Sequence, residues 1–323
     1  MAVGLHSDMT IRDALATEIF IERLDQNLNV FNEGSNGAIR LVSRNMEGYY
    51  EKTKFLDRLT GGTSRRDLTS ASTQTDTALT TDEIASVKRF GKFDTKALTL
   101  SSIETAGMSQ EQIDAAIAVM FADDVAKDYI KSAVISLEAD LVSDSDLYLN
   151  YSGTGDLAYA ALVQGLALMG DASGRIVAWF GHSKPYHDLM EASLTQSSGH
   201  VGARVIFDAE IGTVNRPYIM TDDSNFGNNA TPDNYRTFGL QVGAVTITES
   251  EVNRLVGDLI TGGEQLFKRY QGEFAYNCEL RGSTWDFTNG GSNPTDATLG
   301  TGSNWDPVVA SYKDRAGICI NTT

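Results

Sequence analysis

Proline is scarce in this chain: five occur in 323 residues, the first at Pro185. Nothing in the first 184 residues therefore breaks a long helix or removes a strand donor, so uninterrupted elements are permitted there. Cysteine is scarcer still. Cys278 and Cys319 stand 41 residues apart with no CxxC, which excludes a disulfide-built scaffold and a paired-cysteine zinc site. Two small apolar fillers are the expectation, and a Cys278–Cys319 bridge has no support from spacing. No apolar run approaches the roughly 18 residues that a membrane helix needs. Positive charge is in deficit, with 26 Lys and Arg against 43 Asp and Glu and a formal charge of −17. Such a chain repels phosphate backbones as a whole, so nucleic-acid binding would need a local basic patch. Met1 to Asp8 is polar, and no secretory signal is expected. Catalytic signatures are missing too. Without GxSxG, HExxH or GxxxxGK[ST], nucleophilic, zinc-protease and P-loop chemistry have no anchor.

What is present reads as a series of elements. Thr10 to Phe31 spaces Ile11, Leu15, Ile19, Phe20, Leu24 and Leu28 as a helix does, before Asn32 to Gly37 breaks it. Tyr49 to Leu59 and Ile84 to Leu100 read as strands around a polar tip, because residues 63–81 hold ten Ser or Thr. That tip cannot bury much apolar surface. The segment is therefore a long hairpin arm ordered against something else, or a disordered linker. Ser109 precedes Gln112 at capping-box spacing, and apolar residues then recur from Ile113 to Leu141 with no glycine or proline. This predicts a rod of roughly 50 Å. Beyond it come a loop and helix over Gly153 to Met169, a strand over Arg175 to Phe180 and a short helix over Asp188 to Leu194. Strands are expected at Arg204 to Phe207, Pro217 to Met220 and Leu240 to Ile247. Glu249 to Tyr270 has helical spacing through Val252, Leu255, Val256, Leu259 and Leu266, and Phe274 to Leu280 alternates as a strand does.

Charge is unevenly spread. Residues 51–100 carry nine Lys and Arg against seven acids, whereas residues 101–150 carry two against ten. A basic arm packing on the acidic helix of a neighbour explains both blocks. The candidate chemical sites are poor by comparison. Gly153-Thr-Gly155-Asp-Leu-Ala158 matches a dinucleotide-binding GxGxxA, yet a long helix precedes it and no acidic strand end follows about 20 residues on. His182 and His187 are five apart with Pro185 between them, which is not metal-ligand spacing. Asp144 with Asp146, and Asp222-Asp223 with Asn225, lack the calcium-loop pattern.

The order of elements, with several local runs, resembles the major capsid protein of tailed bacteriophages. The runs are Arg65-Arg66-Asp67, Ile206 to Asp222, Val245-Thr-Ile-Thr-Glu249, Leu280-Arg-Gly282-Ser-Thr-Trp285-Asp286, Asn293-Pro-Thr-Asp-Ala297, Asn304-Trp305-Asp306 and Lys313-Asp-Arg-Ala-Gly317. The resemblance implies an α+β, HK97-like capsid fold. It places an N-terminal arm at 1–45, an extended β-hairpin E-loop at 46–100, a peripheral domain with a long spine helix at 101–147 and 235–290, and an axial α/β domain at 148–234 and 291–323. The implied function is self-assembly as hexamers and pentamers into an icosahedral shell around double-stranded DNA. Portal and scaffolding or decoration proteins would be further partners, with assembly in the host cytoplasm and no membrane. No catalytic residue, cofactor or metal is implied. Candidate inter-subunit contacts in the E-loop are Arg65, Arg66, Lys88, Arg89 and Lys92. A cleaved prodomain is not expected. Gly61-Gly-Thr-Ser-Arg65-Arg66 offers no lysine, so the Lys-to-Asn crosslink some members make is not expected either. An encapsulin-like compartment has the same fold and is one alternative. A dinucleotide-binding enzyme using Gly153 and Gly155 is the other.

Overall fold

The computed structural model describes residues 19–24, 26, 28–29, 31–42, 51–56, 80–96, 98–99, 101, 110–153, 155–197, 216–222, 227–228, 234–250, 254–261 and 266–323. One long helix and two sheets organise them. Helix α1, Gln110–Val142, runs for 33 residues as the apolar spacing predicts, and the expected start at Ser109 lies outside the described residues. Its two halves bury differently. In the first half Ile117, Ala118, Phe121, Ala122 and Val125 are covered while Gln112, Ala116, Met120 and Asp124 face outward. From Ser132 to Leu141 every residue but Glu138 is buried. A helix dry on all sides must be shared between several packing partners.

The first partner is an eight-stranded sheet built on β13, Phe267–Leu280. β11 (Val245–Glu249) and β12 (Arg254–Ile260) pair with successive lengths of β13, and β4 (Val87–Asp94) and β5 (Leu98–Thr99) do the same elsewhere along it. β1 (Ile39–Val42) adds parallel to β11, while β14 (Ser283–Trp285) and β15 (Trp305–Pro307) continue from the end of β13. Alternation puts Phe274, Tyr276 and Cys278 on the helix side, where Tyr276 meets Ser132 and Cys278 meets Ser136. Phe121 stands at the centre, stacked on Phe20 of the N-terminal helix at 4.6 Å between ring centroids and tilted on Phe93 at 4.9 Å.

The second sheet has six strands in the order β6 (Tyr148–Asn150), β16 (Gly317–Thr322), β10 (Asn234–Gln241), β7 (Ile176–His182), β8 (Tyr218–Thr221), with β9 (Gly227–Asn228) beside β10. β6 to β16 and β7 to β8 are parallel and the rest antiparallel. Helices α2 (Tyr159–Met169) and α3 (Ser183–Ser197) flank it. Gly165 lets α2 close onto the sheet, since a Cβ there would lie 2.5 Å from the Ile320 side chain.

Three sequence expectations change. Leu240 to Ile247 is not one strand: Gly243, at φ +65, turns the chain and sends β10 and β11 into different sheets. Glu249 to Tyr270 is not a helix. It ends β11, forms β12 and begins β13, with Arg254↔Glu273 through Ile260↔Phe267 in register. Leu255 is buried and Val256 is 52% exposed, the one-in, one-out pattern of a pleated strand. The long β13 edge outweighed local spacing. Finally, the second arm strand divides at Ser86. β3 (Thr81–Ala85) pairs with β2 (Lys52–Leu56), and β4 returns to the body. The expected strand at Arg204 to Phe207 lies outside the described residues.

Because Phe121 touches three aromatic rings and has no exposed surface, Phe121→Ala is expected to lower subunit stability by about 3–5 kcal/mol in denaturant unfolding.

Candidate inter-subunit surface

Among the described residues, the β2 strand of the β2–β3 hairpin is largely exposed. β2 is exposed at Lys52, Thr53, Lys54 and Leu56, the last at 63%. Its root is held firmly. The Ser86 amide donates to the Glu51 carbonyl at 2.9 Å, the Glu51 amide to Ser86 Oγ at 3.2 Å, and the Ala85 amide to Thr284 Oγ1 at 2.8 Å. Lys52 and Glu83 form an ion pair across the hairpin.

Of the five candidate contact residues, three are described, and they differ in their surroundings. Arg65 and Arg66 lie outside the described residues. Lys88 is on β4, buried, with its ammonium 5.0 Å from the Phe90 ring centroid. Arg89, also on β4, turns inward: it hydrogen-bonds Ser132 of α1 and pairs with Asp296. Lys131 reaches the same carboxylate at 2.6 Å. Burial alone would raise the Asp296 carboxyl, but hydrogen bonds from Lys131 and Arg89 hold it below the usual range. Only Lys92 of the three on β4 is largely exposed, at 76%, with Asp94 at 3.2 Å. Next to Arg89, the buried Tyr276 hydroxyl contacts Ser132 at 2.6 Å and donates to Asp128 at 2.8 Å, and burial pushes its pKa well up.

The acidic helix is not a bare acidic wall. Asp114 takes Lys268 at 2.7 Å, Asp123 faces Arg23 at 3.6 Å, and Glu138 pairs with Arg236. At its end, Asp140 accepts from Ser283 Oγ at 2.7 Å and from Arg315 Nη2 at 2.5 Å, and Arg315 also pairs with Asp144. Asp140 and Arg315 are 0% and 3% exposed. Burial pushes the Asp140 carboxyl above the usual range, although Arg315 and Ser283 pull it down.

The runs near the C-terminal end converge around this lock. Arg281 donates to the Val242 carbonyl at 2.8 Å, and the Gln241 side chain to the Lys313 carbonyl at 2.8 Å. Trp285 and Trp305 pack edge to face at 4.9 Å, with their indole N–H groups donating to the Gly291 and Leu299 carbonyls. Asn293 accepts from the Phe90 amide at 3.0 Å, tying the block to β4. Sequence reading singled out these runs without Asp140, their partner. The available signal was a pair of carboxylates, Glu138 and Asp140, in the otherwise largely apolar stretch Val134 to Leu141.

The other candidates are structural. Gly155 lies between the edge strand β6 and α2, its amide donating to the Tyr151 carbonyl at 3.3 Å and its carbonyl accepting from the Thr323 amide. A pyrophosphate loop follows an inner strand of a parallel sheet, and β6 is three residues at an edge. His182 accepts from the Lys184 amide at 3.1 Å, and His187 packs on Tyr186. Among the described residues no group of three or more His, Cys, Asp or Glu is placed to hold a metal. Cys278 and Cys319 are free, buried and in different sheets; burial pushes the first to about 11 and the second further.

A family model described as major capsid protein 13-like matches residues 8–319. The chain belongs to that family. Solved phage capsids have the same fold. The Cyanophage Pam1 capsid asymmetric unit is 10% identical over 88% of each chain with a TM-score of 0.58. Microbacterium phage Oxtober96 gives 13% identity over 76% of this chain and 84% of that one at 0.55. The head structure of Helicobacter pylori bacteriophage KHP40 gives 9% over 90% and 88% at 0.53. No curated protein matches significantly. This phage major capsid protein thus has the HK97-like fold and a structural role, building the virion shell from many copies. Among the described residues, no helix is long and apolar enough to cross a membrane.

Two outcomes follow from the internal pairs of the capsid protein. Arg315→Ala leaves Asp140 buried without its cation and is expected to cost about 3–5 kcal/mol in subunit unfolding. Asp296 has a lowered folded pKa, so its contribution is present above its unfolded pKa and is lost as pH falls through the folded value. Melting temperature in the acidic range should therefore fall less steeply with pH in Asp296→Asn than in the parent.

Proposed function

We propose that this capsid protein closes as hexamers and pentamers into an icosahedral shell around the double-stranded DNA of a tailed phage, with its E-loop lying on a neighbouring subunit. The observation that carries the reading is the hairpin. β2 leaves the body with most of its side chains exposed, while the root is fixed by three hydrogen bonds from backbone amides, one to a carbonyl and two to the Ser86 and Thr284 hydroxyls. An element held at its base with one strand exposed is suited to be covered by another copy. The intervening Ser- and Thr-rich sequence with Arg65 and Arg66 carries no core-forming pattern that would fold it back.

In this reading the N-terminal arm is 1–45 and the E-loop lies within 46–100, ending where β4 joins β13. The eight-stranded sheet with α1 is the peripheral domain. The six-stranded sheet with α2 and α3 is the axial domain, to which β10 belongs by its pairing, as β15 belongs to the peripheral sheet. The protein performs no chemistry. A net charge of −17 keeps the shell wall from adhering to packed DNA. Assembly takes place in the host cytoplasm with a portal and with scaffolding or decoration proteins.

Expression of the full chain, followed by electron microscopy and native mass measurement, tests the reading. Particles tens of nanometres across or hexameric capsomers are expected, and a strictly monomeric or dimeric protein at every salt concentration overturns it. Arg65→Glu with Arg66→Glu should block assembly at unchanged subunit melting temperature. Arg89→Glu should instead lower the melting temperature, because Arg89 is spent on Ser132 and Asp296 of its own chain.

A further inference from the structure

One long sheet edge has no cover among the described residues. β12 pairs there with β13 and with no other strand. Among the described residues, its outer backbone donors and acceptors have no strand partner. Sheets usually guard such an edge with a proline, a bulge, a very short strand or charged side chains, and of these β12 has only the charges of Arg254 and Asp258. β12 has seven residues, no proline, and an unbroken register with β13. Val256 and Ile260 are 52% and 43% exposed, and with Asp258, Arg269, Gln271 and Glu273 they line an open depression. A subunit of a shell meets other copies of itself on several sides, so a covering strand is at hand.

We infer that β12 docks antiparallel on β12 of a second copy, about a two-fold axis through Val256. Charge selects both the occupant and the register. Two copies of Arg254–Ile260 centred on Val256 place Arg254 of each opposite Asp258 of the other, with Val256 opposite Val256. Other centres lose this match. Centring on Gly257 sets Arg254 against Ile260, and centring on Asp258 sets two carboxylates face to face. The contact is isologous, joins two eight-stranded sheets into one, and covers the exposed valine at its centre. It rests on the shell reading only in requiring copies to meet.

Within one chain, β13 sets Glu273 opposite Arg254 and Arg269 opposite Asp258. Intrachain and intercopy neighbours therefore make contrary demands on a charge swap. Arg254→Asp alone and Asp258→Arg alone each put like charges together in both settings. The double variant Arg254→Asp with Asp258→Arg restores the intercopy match and leaves the intrachain clash. Recovery of particle yield in the double variant, after several-fold losses in the singles, is the expected result.

Crosslinking reads the register. Partners across two strands sit about 4.5–5.5 Å apart at Cα, within the reach of a disulfide. Val256→Cys in the full chain should give a covalent dimer on oxidation of assembled particles, and Asp258→Cys alone should not. The native thiols are buried and will not compete. A dimer band or the double-swap rescue supports the pairing. Absence of both, with wild-type particles forming normally, overturns it and leaves the shell reading intact. Failure of the wild-type chain to assemble removes the shell reading and this contact together.

Discussion

Everything in this subunit depends on keeping the second half of one helix dry. From Ser132 to Leu141 the spine helix has no face for water except at Glu138, so both sheets and the block 283–315 must close on it at once. Hydrophobic contact alone is indifferent to rotation and sliding along such a rod. The polar groups supply the register: Ser283 and Arg315 on Asp140, Tyr276 on Ser132, Arg236 on Glu138. The lock is costly. Asp140 Oδ2 and Arg315 Nε have no hydrogen-bond partner, and burying an ion pair seldom returns its desolvation energy. What it contributes is a unique arrangement of two sheets around a shared helix.

The spine helix and the second half of β13, Phe274–Leu280, were legible in the sequence by their periodicity, and β7 by its continuous apolar run. β12 was not. Val252, Leu255, Val256 and Leu259 fit a helix, and only the presence of β13 turned the segment into a strand. Similarly, nothing local separates Ile84 from Lys88, yet the hairpin ends between them because β13 captures Val87–Asp94. The same capture moved Lys88 and Arg89 from an imagined arm into the body. The terminal runs were recognisable as a set, but their meaning was not, since their partner lies more than 140 residues away on the helix.

Charge shows the same gap between composition and placement. The 101–150 block holds ten acids and two basic residues, which suggests a solvated acidic face. In space, Asp114, Asp123, Glu138, Asp140 and Asp144 each meet a lysine or arginine from another part of the chain. Much of the block is neutralised locally, so the repulsion between copies is carried by other acids.

The position of β16 has a consequence for manufacture. Gly317–Thr322 lies between β6 and β10 inside the six-stranded sheet, and Arg315 just before it completes the helix lock. A nascent or truncated chain lacking these residues has neither a continuous second sheet nor a compensated Asp140. One short segment thus closes the second sheet and neutralises the buried carboxylate of the spine helix, so the two sheets and the helix share a single point of failure.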